Sequence, residues 1–322
     1  MHALLPAAQT EGAWLGVAAA APDQVWFAGG RLEPPSATIA RYDGRLWPET
    51  VPAGPHLWWV FALGPQEAWA CGSAGRILRR GADATWAEEP TGLGADAVLW
   101  GLWGASARDL WAVGGTDTPG GPRGLVLRST GDGQWERLRA PGLPLEDPAD
   151  EFAGLNLYKV WGTGPDDVYL VGEGGLALHW NGSEFKQLQT GVRDVLFTVH
   201  GQPQGPVLAV GGLSGGVVVR LDGPAPTLEA LPSVPPLNGI FVRPDGTAIA
   251  TGAQGVVLER TAAGTWQRLR PPTTDGALAT RTLHAVVVTD DGTWAVGGDL
   301  SALTDGILAT SVDPLPTWGV LP

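Results

Sequence analysis

Cysteine is all but missing from this 322-residue chain: Cys71 stands alone. One thiol excludes an internal disulfide and a cysteine-based metal site, and the run Ala68-Trp69-Ala70-Cys71 reads as a strand that buries it. Lysine is nearly as scarce. Lys159 and Lys186 are the only two, so arginine carries almost all the positive charge. The 20 basic residues face 33 acidic ones, a net charge of −13. A nucleic-acid binder needs clustered cations to displace phosphate counterions, and anionic membranes attract cations as well, so this balance argues against both partners. No apolar run of about 18 residues is present for a membrane span. The start, Met1-His2-Ala3-Leu4-Leu5-Pro6, lacks a basic stretch and an apolar core of an export signal. The expectation is therefore a cytoplasmic protein, unless the chain is the mature form of an exported one.

Charged residues make up only 16% of the chain and hydrophobic ones 44%, which excludes a disordered polymer and allows a large core. Glycine (48) and proline (28) are abundant, as many short strands joined by tight turns require. The richness in Ala, Gly, Pro and Arg also fits a GC-rich bacterial genome.

Self-similarity dominates the sequence. Leu99-Trp-Gly-Leu-Trp103 followed by Asp109-Leu-Trp111-Ala-Val-Gly114 aligns without gaps with Leu157–Gly172 and with Leu57–Gly72. Weaker copies begin at Trp14, Leu196, Leu237 and Leu283. A period of about 40–50 residues carrying four strands is the signature of a β-propeller. Strand A is the Leu-x-x-Val-Trp run. A Pro-Asp or Asp-Gly turn follows, as at Pro165-Asp166 and Asp291-Gly292. Strand B is the Trp/Tyr-x-Val-Gly run, strand C is apolar after a glycine, and strand D opens on an aromatic residue: Trp47, Trp86, Trp135, Phe185, Trp266 or Trp318. The predicted fold is all-β, a single seven-bladed propeller over residues 1–322, with residues 1–13 as a closing or accessory strand. A four-stranded sheet this small cannot cover both its faces alone, so the recurring tryptophans (26, 47, 69, 86, 103, 111, 135, 161, 266, 294 and 318) read as spacers between blades. Two segments compete to close the ring. Trp318-Gly-Val-Leu321 fits strand D of the last blade, and so does His2–Pro6; the expectation favours the C-terminal segment, with the N-terminal one packed beside it.

The stretch Trp161-Gly-x-Gly-Pro-Asp-Asp-Val-Tyr169-x-Val-Gly172, continuing to His179-Trp180-Asn-Gly182, resembles the Trp-rich propeller repeats of myxobacterial and related proteins. Those are distantly similar to Asp-box repeats and to photosystem II assembly-factor-like propellers. Ser129-Thr-Gly-Asp132-Gly-Gln-Trp135 resembles an Asp-box with one extra residue before Asp132 and no hydroxyl before Trp135. The Gly-His and Trp-Asp pairs of WD40 repeats are absent. The resemblance covers nearly the whole chain and implies the fold, not a function, because propellers host many activities.

Insertions collect on one face. Long B–C loops are expected at Arg31–Ser36, Thr116–Arg123 and Asp299–Asp305, and long D–A loops at Pro141–Leu155 and Pro271–Thr280, while the A–B turns stay short. Strand A enters from that face, and its second residue is Trp58, Trp100, Tyr158 and Phe197 in consecutive blades and His284 in the seventh. These are candidates for a binding rim around the channel mouth, with inter-blade packing as the competing explanation. Asp147, Asp150 and Glu151 form an acidic stretch in the longest loop, able to offer oxygens to a cation but without an EF-hand pattern, and solvated loop side chains explain them more simply. Strand C repeats a cation at one register (Arg41, Arg79, Arg128, Arg220, with His179), best explained by pairing with nearby acids or carbonyls.

No catalytic set emerges. The five histidines (2, 56, 179, 200, 284) are scattered without metal-ligand spacing, and no Gly-x-Ser-x-Gly elbow is present. His200, which replaces the repeat tryptophan, reads as a core histidine. A sialidase-type site would need a tyrosine nucleophile near the channel; Tyr158 is the one candidate and has no supporting motif. No metal or cofactor is expected. The favoured function is a non-catalytic module that engages a protein or peptide on the long-loop face. The alternative is a carbohydrate-binding or glycosidase-related propeller.

Overall fold

The strand-B glycine of the repeat is the residue on which the local geometry turns. In all seven blades strand A carries a β-bulge after the residue that opens the repeat: Trp14, Leu57, Leu99, Leu157, Leu196, Leu237 or Leu283. In blade 2, Leu57 pairs with Gly72 and Trp59 with Cys71, leaving Trp58 without a partner in the ladder. The same slip leaves out Leu15, Trp100, Tyr158, Phe197, Asn238 and His284. The bulge drives the carbonyl that precedes strand A onto the facing strand-B residue. A Cβ on Gly72, Gly114 or Gly172 would collide with the carbonyl oxygen of His56, Val98 or Asn156, and the equivalent glycine meets the equivalent carbonyl in each other blade. Glycine is the residue that fits, which is why the Trp/Tyr-x-Val-Gly motif ends as it does.

The computed structural model describes residues 5–116, 124–143, 154–269 and 278–313. They form a seven-bladed β-propeller of antiparallel sheets. Blade 2 is representative: Leu57–Gly64, Glu67–Gly72, Ile77–Arg80 and Trp86–Glu89 pair in order from the inside outward. Five blades are separate four-stranded sheets. Blades 7 and 1 are joined, because one 17-residue strand, Leu5–Ala21, serves both. Its first part pairs with Thr304–Thr310 of blade 7, and the rest becomes strand A of blade 1 by pairing with Gln24–Arg31.

The N-terminal segment thus occupies the outer position of the last blade, against the expectation that the C-terminal segment would. The ladder runs from Leu5 opposite Thr310 to Gly12 opposite Thr304. A strand covalently continuous with blade 1 holds the first and last blades together without a separate loop to order, which is the physical advantage of this closure. The competing Trp318–Leu321 segment lies outside the described residues. Two of the expected B–C loops lie where the sequence placed them but hold only four residues each: the ladder of blade 1 ends at Arg31 opposite Ser36, leaving residues 32–35, and that of blade 7 at Asp299 opposite Thr304, leaving residues 300–303.

The tryptophans do pack between blades. Trp26, Trp69, Trp111 and Trp294 on strand B are buried, and each contacts the next blade around the ring. Burying a side chain of this size contributes several kcal/mol. The strand-D tryptophans are latched as well. Glu49 accepts the indole N–H of Trp86 at 3.2 Å, Glu89 that of Trp135 at 2.8 Å, and Glu229 that of Trp266 at 2.6 Å. In each case a strand-D glutamate of one blade holds the strand-D tryptophan of the following blade.

Candidate functional site

The bulge that demands glycine on strand B also turns the second residue of strand A out of the ladder. Bulges commonly re-aim side chains in this way. The seven ejected residues form one ring at the end of the channel where strand A begins. Leu15 is buried, but Trp58, Trp100, Tyr158, Phe197 and His284 are each half-buried, as is Asn238. The rim residues expected from sequence are therefore brought together. Trp100, Tyr158 and Phe197 form one arc, with ring centres 5.0 and 5.6 Å apart. His56, Trp58 and His284 form a second, at 5.4 and 6.0 Å.

Each arc is braced from behind. The Tyr158 hydroxyl donates to Glu173 at 3.0 Å, and the same carboxylate takes the backbone N–H and side-chain amide of Asn156. His284 donates its Nδ1–H to the Leu15 carbonyl, and burial pushes its pKa down to about 4, so the ring is neutral at pH 7. His56 is joined to Ser73 Oγ through Nε2 at 2.9 Å, and burial lowers its pKa too. The indole N–H of Trp58 is buried and finds no acceptor among the described residues.

Below the rim the channel holds a cavity of about 260 Å³. Its walls are the third to sixth residues of strand A, among them Trp59, Phe61, Trp103, Trp161, His200 and Phe241. Trp103 and Trp161 lie over Gly162 and Gly201 of the following blade, where a Cβ would come within 2.9 Å of the indole. His200 stacks on Phe241 at 4.5 Å and accepts the Val242 N–H at Nδ1, and burial depresses its pKa to about 3. It is the neutral core histidine that its repeat position implied.

One charged group enters this apolar channel, and sequence reasoning passed over it. Lys159 occupies the third position of strand A in blade 4 and is 4% exposed. Its Nζ donates to the Trp100 carbonyl at 3.2 Å and lies 3.2 Å from the centre of the Trp59 ring. Burial lowers its pKa to about 7. The scarcity of lysine was the available signal: a cation in a register otherwise filled by Gly16, Trp59, Gly101, Thr198, Gly239 and Ala285 is out of place.

The remaining candidates resolve into structure. The strand-C cations are all paired: Arg41 with Glu49, Arg79 with Glu89, Arg128 with Asp109, Arg220 with Asp222 and His179 with Asp167. Cys71 is buried, and its thiol is pushed up to about 12. Asp147, Asp150 and Glu151 lie outside the described residues, as do most of the Thr116–Arg123, Pro141–Leu155 and Pro271–Thr280 loops. Among the described residues no group of three His, Cys, Asp or Glu side chains is placed to hold a metal.

No family model matches the chain, and no curated protein does. Solved structures resemble it along nearly its full length. "YCF48 bound to D1 peptide" covers 95% of this chain and 96% of its own at 14% identity, TM-score 0.63. The relationship is a distant one between propellers. "YCF48 from Cyanidioschyzon merolae" aligns over 96% of this chain and 98% of its own at 14% identity, TM-score 0.64. The WD40 β-propeller domain of Doa1 aligns over 99% and 100% at 11% identity, TM-score 0.69. Likeness at these identities concerns the fold alone.

Proposed function

We propose that this chain is a non-catalytic protein- or peptide-binding propeller whose partner docks on the face where strand A begins, across the aromatic rim. The observation that carries this reading is the ring of bulges: seven residues lifted out of register at one end of the channel, five of them aromatic rings or imidazoles left half-buried. The strand-B tryptophans, by contrast, are fully buried between blades. Rigid, half-exposed aromatic side chains give large contact area at small entropic cost. The likeness to a YCF48 structure that contains a D1 peptide supports a peptide as the kind of partner. The acidic loop with Asp147, Asp150 and Glu151 belongs to the same face in this proposal. Kinship with Trp-rich myxobacterial-type repeats is part of it too, supported by the Trp161–Gly182 motif.

The test is selection of linear peptides by display on the purified chain, followed by affinity measurements. Trp100→Ala and Tyr158→Ala are expected to weaken selected peptides by about tenfold or more, the loss typical of an aromatic anchor. Asp245→Ala, in an A–B turn at the other end, should leave them unchanged. Peptides that bind both rim variants normally would sink the reading. Glycan-array binding lost on Trp58→Ala, with no peptide selected, would favour the carbohydrate alternative.

A further inference from the structure

Buried charges in proteins are paired, because an isolated ion loses its hydration without compensation. Lys159 breaks that rule. Its amine is enclosed in the channel, yet no carboxylate among the described residues lies within ion-pairing distance, in a chain where acids outnumber bases. Its hydrogen bond to the Trp100 carbonyl engages one of three N–H donors, and the Trp59 ring covers one side of the ammonium. The other titratable groups near it carry no charge at neutral pH. Cys71, on the strand beside Trp59, is a thiol held protonated by burial, and His284 on the rim is a neutral imidazole. Among the described residues, none supplies the negative charge that the site lacks.

Lys159 lines the cavity of about 260 Å³, whose remaining walls are mostly apolar, with the Thr198 side chain and the neutral His200 imidazole as the polar exceptions. A site of that volume is smaller than a typical drug-sized pocket and suits a compact ligand. One cation at the head of an apolar chamber matches one anionic group on an apolar body. We propose that the channel below the rim is a binding site for a small monocarboxylate with an aromatic or branched aliphatic body, its carboxylate paired with Lys159 Nζ and its body held among Phe61, Trp103, Trp161 and Phe241. An anion favours the protonated form of this amine, and a cation opposes it. Neutral analogues of the same shape forfeit the ion pair, and dicarboxylates would bury a second charge against apolar walls. This site is separate from the peptide-binding reading, which rests on residues of the rim.

Isothermal titration calorimetry at pH 7 tests it on the full chain with phenylacetate, benzoate and 4-methylvalerate, and with 2-phenylethanol as the neutral match to phenylacetate. At least one acid is expected to bind at submillimolar concentration, with 2-phenylethanol about tenfold weaker or more. Lys159→Met, which keeps the length of the side chain and removes the charge, should abolish the difference between acid and alcohol. Tryptophan fluorescence reports whether that variant is folded, and the acid–alcohol comparison on the unaltered chain stands without it. Failure of all three acids to bind, equal binding of 2-phenylethanol, or full retention of acid binding by folded Lys159→Met would each overturn the proposal. Rim variants such as Trp100→Ala serve as the independent probe of peptide binding, so failure here leaves that reading to its own experiment.

Discussion

Replacing Lys159 by methionine should make the protein more stable at pH 7, and the gain should shrink as the pH rises. The lysine's pKa falls from 10.5 in the unfolded chain to about 7 in the folded one. A base depressed in this way binds its proton more weakly when folded, so it costs stability wherever the unfolded chain is protonated and the folded chain resists protonation. The penalty is largest below the folded value and fades as pH climbs towards 10.5. Each unit of displacement corresponds to about 1.4 kcal/mol, so the wild-type chain gains about 2 kcal/mol between pH 7 and pH 9 from this residue. Above pH 9 the trend is opposed by Cys71, whose raised thiol pKa favours the unfolded chain there. The useful window therefore ends at pH 9. Methionine fills similar space without charge, so the advantage of Lys159→Met over wild type should fall from about 4 kcal/mol at pH 7 to about 2 kcal/mol at pH 9. Urea unfolding followed by tryptophan fluorescence at pH 7, 8 and 9 measures both curves. A variant no more stable at pH 7, or one with the wild-type pH slope, would refute the account of a buried, uncompensated amine. A residue that lowers stability and is still present fits a binding role, where function is bought with strain elsewhere.

The acid side has its own marker. His200 is depressed from 6.5 to about 3, so its contribution is complete above pH 6.5 and is lost as pH falls; by pH 5 it should have cost about 2 kcal/mol, and His200→Phe should flatten that part of the stability curve. Removing an inter-blade latch with Glu89→Leu leaves the Trp135 indole without its acceptor and the Arg79 guanidinium without its partner, and should lower stability by about 1–3 kcal/mol in the same assay. Gly114→Ala should be worse, by roughly 3 kcal/mol or more, because the new methyl meets the backbone carbonyl of Val98 and not a movable side chain. A Gly164→Ala control, where a Cβ would meet nothing within 4 Å and the backbone is not at positive φ, should cost far less.

The blade count, the strand order within each blade and the spacer role of Trp69 and Trp111 were legible because each follows from a pattern repeated seven times. The rim was legible too, since Trp58, Trp100, Tyr158 and Phe197 share one register. What made that register special was not. A bulge is a relation between two strands, and the sequence showed only its consequence, the glycine at the end of strand B. Closure was misjudged for a similar reason. His2–Pro6 and Trp318–Leu321 carry equivalent strand signals, and local propensity does not weigh the advantage of a strand continuous with blade 1. Lys159 escaped notice because a single lysine on a strand has no motif; only the folded channel reveals that no carboxylate among the described residues pairs with it.

The closed ring is most directly tested by hydrogen exchange on the full chain and on a form lacking residues 1–12. The amides of Thr304–Thr310 bond to Leu5–Gly12 on one side, so in the full chain they should be protected as strongly as those of Val257–Arg260 in blade 6. Removal of the first twelve residues should expose that edge and release protection in Thr304–Thr310 and in its neighbour Thr293–Asp299, with a clear loss of thermal stability. Equal protection in both forms would mean that another segment fills the seventh blade, and the closure described above would be wrong.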